Sequence, residues 1–423
     1  MDKFLIRGGK HLQGTVAVGG AKNASLALMP ATILAPGTSI LTNTPRLRDV
    51  TTMQRLLESM GFSVSHDGHS MTLDSSHVTK FEAPYEHVKK MRASVYVLGP
   101  LLARYGKARV SLPGGCAWGP RPVNLHIEGL RKLGAEIDIE GGYIIARAQR
   151  LRGARIHFDV SSVGATGNIM MAAVLAQGST VIENAAMEPE ITSLADFLVA
   201  MGAKITGSGS STMEIEGVES LRPANFATIP DRIEAGTFLV AGALAGKKGG
   251  KVRVDRCLPE HLEAVTARLE ETGARLTIGR DFVEIEPPDE VRPVNVTTEI
   301  YPGFPTDMQA QWIALMSRAR GTSVVTDTIY FDRFTHVPEL VRLGAQIVVR
   351  ENSATVVGAK RLAGAKVMST DLRASASLIL AGLAAQGTTE VLRVYHIDRG
   401  YEEIEKKLGG LGADITRMSG EEY

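Results

Sequence analysis

The chain has 423 residues, 44% of them apolar and 22% charged, and its 47 Lys and Arg nearly balance 46 Asp and Glu. That length exceeds a comfortable single core and predicts two domains. A net charge of +1 argues against a general nucleic-acid binder, whose basic excess would show in the balance.

In chain order, the opening MDKFLIRGG lacks the apolar core of a signal peptide. The extended stretch FLIRGGKHLQGTVAVGG (4–20) leads into the glycine turn GGAKNA (19–24) and then an apolar helix. From there one unit recurs: an apolar helix stopping at glycine, a strand, an amphipathic helix stopping at glycine, and another strand or two. The second stop occurs six times, as LESMGFSV, LRKLGAEI, LVAMGAKI, LEETGARL, LVRLGAQI and LGGLGADI. Its glycines, Gly61, Gly134, Gly202, Gly273, Gly344 and Gly412, lie 73, 68, 71, 71 and 68 residues apart. The first stop, at Gly37, Gly106, Gly178, Gly249, Gly321 and Gly387, keeps step with it. Glycine suits the residue just past a helix, where a positive φ is needed.

Six α/β units divide most simply as three plus three, with the Pro-bearing stretch SLRPANFATIPDR (220–232) as the boundary. The first strand stands one element out of phase and is expected to complete the far domain. A period of this length exceeds that of the usual solenoid arrays. Two pseudo-symmetric α/β lobes are therefore expected: 1–20 with 230–423, carrying Asp307, Arg333, Arg373 and Arg399, and 21–229, carrying Lys22, Arg92 and the Cys116 loop.

The apolar helices open on polar residues. Lys22, Arg92, Arg232, Asp307, Asp371 and Arg373 take equivalent places in five units, and the third unit offers SVGAT (162–166). Free N–H groups and the positive end of the helix dipole gather there. Plain caps and solvated side chains explain any one of these residues. Four cations placed against the dipole together point to a polyanionic ligand. GGAKNA suits close approach of an anion to backbone, but neither a Walker A loop nor a GxGxxG turn is present.

The loop SLPGGCAWGPRP (111–122) holds Cys116 among glycines and prolines, with Arg121 near enough to favour a thiolate. An incidental turn cysteine is an equally good account of that segment alone. Cys257 reads as a packed core thiol, His126 as a loop-base residue without a catalytic role, and KKGGK (247–251) as a solvated turn. No CxxC, HExxH or Cys/His cluster occurs, so neither metal nor cofactor is expected. No apolar run is long enough to span a bilayer, and a cytoplasmic protein without membrane or nucleic-acid partners is expected.

GGAKNA, MRAS, PGGCAxGxRPVNLH, SVGAT, PDRIEAGTF, YPGFPTDMQAQ, RFTHVPEL, TDLRASASL and YHIDRGYE, spread over nearly the whole chain, resemble the UDP-N-acetylglucosamine enolpyruvyl transferases (1-carboxyvinyltransferases) of the EPSP synthase superfamily. The resemblance implies an α/β fold, a two-lobed inverted barrel of six pseudo-repeats with the active site in the interlobe cleft. It implies transfer of enolpyruvyl from phosphoenolpyruvate to the 3′-hydroxyl of UDP-N-acetylglucosamine with release of phosphate, the committed step of peptidoglycan synthesis. Roles in cell wall biogenesis, cell shape and cell division follow from that step, and alkylation of a reactive Cys116 thiol implies sensitivity to fosfomycin.

By the same resemblance Asp307 is the base, and Cys116 is the acid and the thiol that adducts phosphoenolpyruvate. Lys22, Arg92, Arg121 and Arg399 match positions holding phosphoenolpyruvate and its phosphate, with Lys22 and Arg399 also counted as catalytic. Asn23 and Arg373 match contacts to the reacting centre, and Arg333 and Asp371 belong to the same cleft. The UDP-sugar site maps to Arg121, Pro122, Val123, Asn124, Leu125, Ser162, Val163, Gly164 and Ile329, shared with Asn23, Arg92, Asp307 and Arg333.

The chain departs from the family at Asn124, usually aspartate beside the uracil, at Trp118 in the loop, and at Val160, a lysine in some members. A sister enzyme acting on shikimate 3-phosphate would share lobes and chemistry without a PGGCA cysteine. A repeat protein that only binds nucleotide-sugar would need neither Asp307 nor Cys116. A thiol redox role fits poorly, because Cys116 has no resolving partner.

Overall fold

The computed structural model describes residues 2–89, 91–112 and 123–419. Cys116, Trp118, Arg121 and Pro122 lie outside the described residues. The chain divides into two compact units, Met1–Gly19 with Pro230–Tyr423, and Gly20–Ile229. Each has its own apolar core.

Among the described residues each unit holds three four-stranded sheets built to one plan, and the Met1–Gly19 with Pro230–Tyr423 unit adds a two-stranded pair, Leu362–Ala363 with Ala385–Gln386. In the second repeat the short strand Glu82–Ala83 runs parallel to Lys107–Ser111, which pairs antiparallel with Tyr143–Arg147, itself the return arm of a hairpin with Glu136–Glu140. Side chains alternate across each strand, so Ala108, Val110, Ile144 and Ala146 point into the core while Lys107, Arg109, Ile145 and Arg147 point away. The amphipathic helix Arg48–Met60 turns Val50, Met53, Leu57 and Met60 inward, a helical spacing, and stops at Gly61. All six glycines of that helix stop have φ between 90° and 109°. The backbone after each amphipathic helix thus takes the left-handed turn that the repeat predicts.

The apolar helices are the cores of their repeats. Nine of ten residues are buried in the first, Lys22–Ala31, and the fourth and sixth, Arg232–Ala245 and Ala374–Ala384, are enclosed nearly all round. Val163–Ala173 and Gln309–Met316 are the third and fifth. The second differs from a single continuous helix: Arg92–Val97 is 3-10 and only Leu98–Tyr105 is α-helical. The Gly99 N–H and the Val95 carbonyl, which would pair in a continuous α-helix, are both taken by the Asn168 side chain, and Pro100 has no N–H for the Tyr96 carbonyl.

In repeats two, three, five and six, the short strand before the apolar helix pairs with the strand after it. Repeats one and four exchange theirs. Gly14–Ala17 precedes the first apolar helix yet pairs with Val252–Asp255 after the fourth, while Phe226–Ala227 precedes the fourth and pairs with Thr38–Thr42 after the first. The strand Asp2–Arg7 lies between Thr388–Leu392 and Asp414–Ser419, replacing a hairpin arm in the sixth repeat.

The turn GGAKNA serves packing. A Cβ on Gly20 would lie 1.7 Å from the Asn43 carbonyl oxygen, whereas one on Gly19 would meet nothing nearer than 3.5 Å. The Gly19 N–H is committed to the Glu234 carboxylate at 2.7 Å. Gly20→Ala is therefore expected to lower unfolding free energy by about 1–3 kcal/mol, the usual cost of overpacking, and Gly19→Ala by less. Urea unfolding of the two variants beside the parent checks the contrast.

Candidate active site

In the Gly20–Ile229 unit, Lys22 opens the first apolar helix and is almost wholly buried. A cation there opposes the helix dipole, and a buried one is costly without a counter-charge. Asp49 supplies it, with its carboxylate 3.6 Å from the Lys22 ammonium, from the first turn of Arg48–Met60. Asn23 is the half-buried residue of that helix. Arg92, also half-buried, begins the 3-10 turn, which packs against both the first and third apolar helices.

Asn168 organises the surroundings of the third helix start. Its amide NH₂ donates to the Val95 carbonyl at 2.9 Å and to His126 Nδ1 at 3.0 Å, and its oxygen accepts the Gly99 N–H at 2.6 Å. His126 Nδ1 is thereby an acceptor, which leaves the imidazole proton on Nε2. Burial, aided by the positive charge of Arg92, pushes the His126 pKa down to about 4. The ring lies against Gly164, where a Cβ would sit 3.2 Å from two ring atoms. Ser162 caps this helix through Ala165 N–H at 3.3 Å, so 162–164 present backbone at a helix N-terminus. Val123 and Leu125 are half-buried. Asn124 is exposed at the start of Asn124–Lys132, and its amide reaches Glu128 at 3.5 Å. Val160 is exposed.

In the other unit, four of the residues singled out in the sequence converge. Arg333 Nη1 donates to the Asp307 carboxylate at 2.8 Å and to Thr306 Oγ1 at 3.1 Å, while its Nη2 lies 3.7 Å from Asp371. Arg373, 2% exposed, donates through Nη2 to Asp231 at 2.9 Å and through Nη1 to the Gly400 carbonyl at 2.9 Å. Its Nε stands 3.8 Å from the second Asp307 oxygen. Burial alone would push both guanidinium pKa values down; the facing carboxylates reverse that, so both rise and both groups stay charged.

The two aspartates at helix starts behave differently. Asp371 does cap the sixth helix, accepting the N–H groups of Arg373 and Ala374 at 2.9 and 2.8 Å. Burial pushes its carboxyl up, but Arg333 and those N–H groups hold it below the usual range. Asp307 spends its carboxylate on the two arginines and, at 26% side-chain exposure, is the open member of the cluster.

Several supporting residues were not singled out in the sequence. Asp231 caps the fourth helix through one oxygen and pairs with Arg373 through the other. Asp327, fully buried, accepts from Thr298, Thr306 and the N–H groups of Ile329 and Tyr330, which fixes the loop carrying Ile329 and Arg333. Gln311 donates to the Asp307 carbonyl at 3.0 Å and to the Tyr401 hydroxyl at 3.1 Å, and Tyr401 lies under Arg373. Helix-start position alone marked the cations. Of their partners, Asp307 and Asp371 share that position, whereas nothing local marks Asp231 or Asp49 as a counter-charge.

Arg232 has its guanidinium 5.6 Å from the Tyr301 ring centre. Arg399 ends the 3-10 helix Val394–Arg399 and is half-buried. Cys257 is buried, and burial pushes its thiol up to about 11, as a packed core cysteine requires. Among the described residues no group of acidic, His or Cys side chains is placed to hold a metal, and no helix is long and apolar enough to cross a membrane.

A histidine held neutral in the fold but free to protonate when unfolded makes stability rise with pH between its two pKa values. His126 therefore contributes fully above about 6.5, and its contribution is lost as pH falls toward about 4. Urea unfolding at pH 7 and pH 4.5 is expected to show a steeper stability loss for the parent than for His126→Gln.

Residues 6–408 match the family model for EPSP synthase (3-phosphoshikimate 1-carboxyvinyltransferase). The UDP-N-acetylglucosamine 1-carboxyvinyltransferase of Chloroherpeton thalassium is 56% identical, covering 100% of this chain and 99% of the relative. That of Trichlorobacter lovleyi is 55% identical over 99% of this chain and 100% of its own length. Among solved structures, the enolpyruvyl transferase NikO from Streptomyces tendae superposes with a TM-score of 0.89 at 27% identity, covering 99% of each chain. EPSP synthase from Acinetobacter baumannii, at 20% identity and a TM-score of 0.77 over 99% of this chain and all of that one, shares the fold. With full-length relatives at this identity and the family model spanning nearly all of its residues, the chain belongs to the EPSP synthase family, among its UDP-N-acetylglucosamine 1-carboxyvinyltransferases.

Proposed function

We propose that this protein transfers the enolpyruvyl group of phosphoenolpyruvate to the 3′-hydroxyl of UDP-N-acetylglucosamine and releases phosphate. The observation that carries this reading is Asp307, a partly open carboxylate flanked by the buried guanidiniums of Arg333 and Arg373. In the addition step the sugar hydroxyl gives its proton to Asp307 as its oxygen bonds to C2 of phosphoenolpyruvate, and an acid protonates C3. In the elimination step C3 loses a proton and the C2–O bond to phosphate breaks.

Cys116 is the proposed acid and also the nucleophile that adducts phosphoenolpyruvate. Lys22, Asn23, Arg92, Arg121, Arg373 and Arg399 are assigned to the phosphoenolpyruvate carboxylate and phosphate, where several cations are needed for two anionic groups. The nucleotide sugar is assigned to Asn23, Arg92, Arg121, Pro122, Val123, Asn124, Leu125, Ser162, Val163, Gly164, Asp307, Ile329 and Arg333. This activity would place the protein in the cytoplasm, at the entry to peptidoglycan synthesis, and so in cell wall growth, shape and division.

Phosphate release from phosphoenolpyruvate tests the reading, with UDP-N-acetylglucosamine or shikimate 3-phosphate as acceptor. Release with the nucleotide sugar alone is expected; release only with shikimate 3-phosphate reverses the acceptor. Asp307→Ala is expected to lower turnover by at least about a hundredfold while calorimetry still detects UDP-sugar binding. Wild-type rates in that variant remove Asp307 from the mechanism. The epoxide fosfomycin is expected to alkylate Cys116, seen by mass spectrometry as one adduct on its peptide; an unmodified peptide counts against a reactive thiol.

A further inference from the structure

The turn that carries Arg399 is gripped from two sides. On one side, Arg373 Nη1 donates to the carbonyl of Gly400, the next residue, at 2.9 Å. On the other, Asp398, the preceding residue, receives Nη1 and Nη2 of Arg417 at 3.1 and 2.5 Å. Arg417 stands on the strand Asp414–Ser419 and faces Phe4 across the sheet, its guanidinium 4.9 Å from the centre of that buried ring. It also reaches Glu405 at 2.8 and 3.5 Å and Asp2 at 3.4 Å. One guanidinium thus joins three carboxylates that would otherwise repel one another. Its planar fork fits two of them in fixed directions, which a flexible ammonium does not.

The segment needs such a tie. It begins at Arg393 with φ 58° and ends at Glu403 with φ 48°, both left-handed and neither glycine, each a conformation that surrounding contacts must sustain. A short 3-10 helix between them supplies little of its own stability. Arg417 side chains are 28% exposed, so the residue is not required to fill the core.

We propose that Arg417 is a positioning residue: by clamping Asp398 it holds the Val394–Arg399 turn so that Arg399 is presented to the phosphoenolpyruvate phosphate in one orientation. This rests on the assignment of Arg399 to phosphoenolpyruvate. Arg417→Gln and Asp398→Asn are each expected to raise the KM for phosphoenolpyruvate by about tenfold, with the KM for UDP-N-acetylglucosamine unchanged. The double variant should be little worse than either single one, because both break the same contact.

Glu405→Gln, which weakens only the Glu405 contact of Arg417, should lower Tm and leave the phosphoenolpyruvate KM within about twofold. Should Arg417→Gln not fold, Arg417→Lys keeps the charge without the fork and is expected to show the same selective rise. An unchanged phosphoenolpyruvate KM in folded Arg417 variants, with Arg399→Ala impaired, overturns the clamp and leaves the function intact. Equal weakening of both substrates, tracking Tm, also overturns it. Unchanged kinetics in Arg399→Ala remove the assignment of Arg399 itself, and the clamp with it.

Discussion

Two guanidinium groups buried near the starts of apolar helices set the terms for their surroundings. Taking an unpaired charge out of water costs several kcal/mol, so Arg373 and Arg333 persist there only because carboxylates come with them. Asp231 satisfies Arg373 while also capping the fourth apolar helix, and Asp371 faces Arg333 while capping the sixth. Each of these aspartates is occupied twice over. Asp307 differs in exposure and not in partners, with Arg333 at 2.8 Å on one oxygen, Arg373 at 3.8 Å from the other, and about a quarter of its side chain open. The same ion pairs that keep the two arginines charged also fix the one partly exposed carboxylate of the cluster.

The sheets explain why such distant residues can be held so closely. Each repeat contributes one apolar helix whose start is fixed by a short parallel strand before it and a longer one after it. Short edge strands of two to four residues give little template for pairing with another chain. The exchange of Gly14–Ala17 and Phe226–Ala227 between repeats one and four leaves both sheets with the same four-stranded plan as the others. The repeat is conserved in space even where chain order is not.

Much of this could be read from the residues alone. Helix stops are local events, so a glycine after each amphipathic helix marked the six-fold period, and all six adopt positive φ. The polar residues opening the apolar helices were equally visible, because an apolar run makes Lys22 or Arg373 conspicuous. Their partners were not. Asp231 lies 142 residues from Arg373 and resembles an ordinary cap in PDRIEAGTF. Asp327 sits in a strand end whose four acceptor contacts come from loops that only the fold assembles. At GGAKNA a glycine pair reads the same whether a ligand or the chain's own Asn43 carbonyl approaches it, and the structure adds the second reason at Gly20.

The place of Asp2–Arg7 bears on how the protein is made. Among the described residues, the named strands of 20–229 pair only with one another. The strand Asp2–Arg7 is translated long before its neighbours Thr388–Leu392 and Asp414–Ser419. At about 5–20 residues per second it waits some tens of seconds, with both edges unmatched and Phe4 and Ile6 without their core. Lys3 and Arg7 flank that apolar pair, and charges in such places discourage a waiting strand from joining a neighbouring nascent chain.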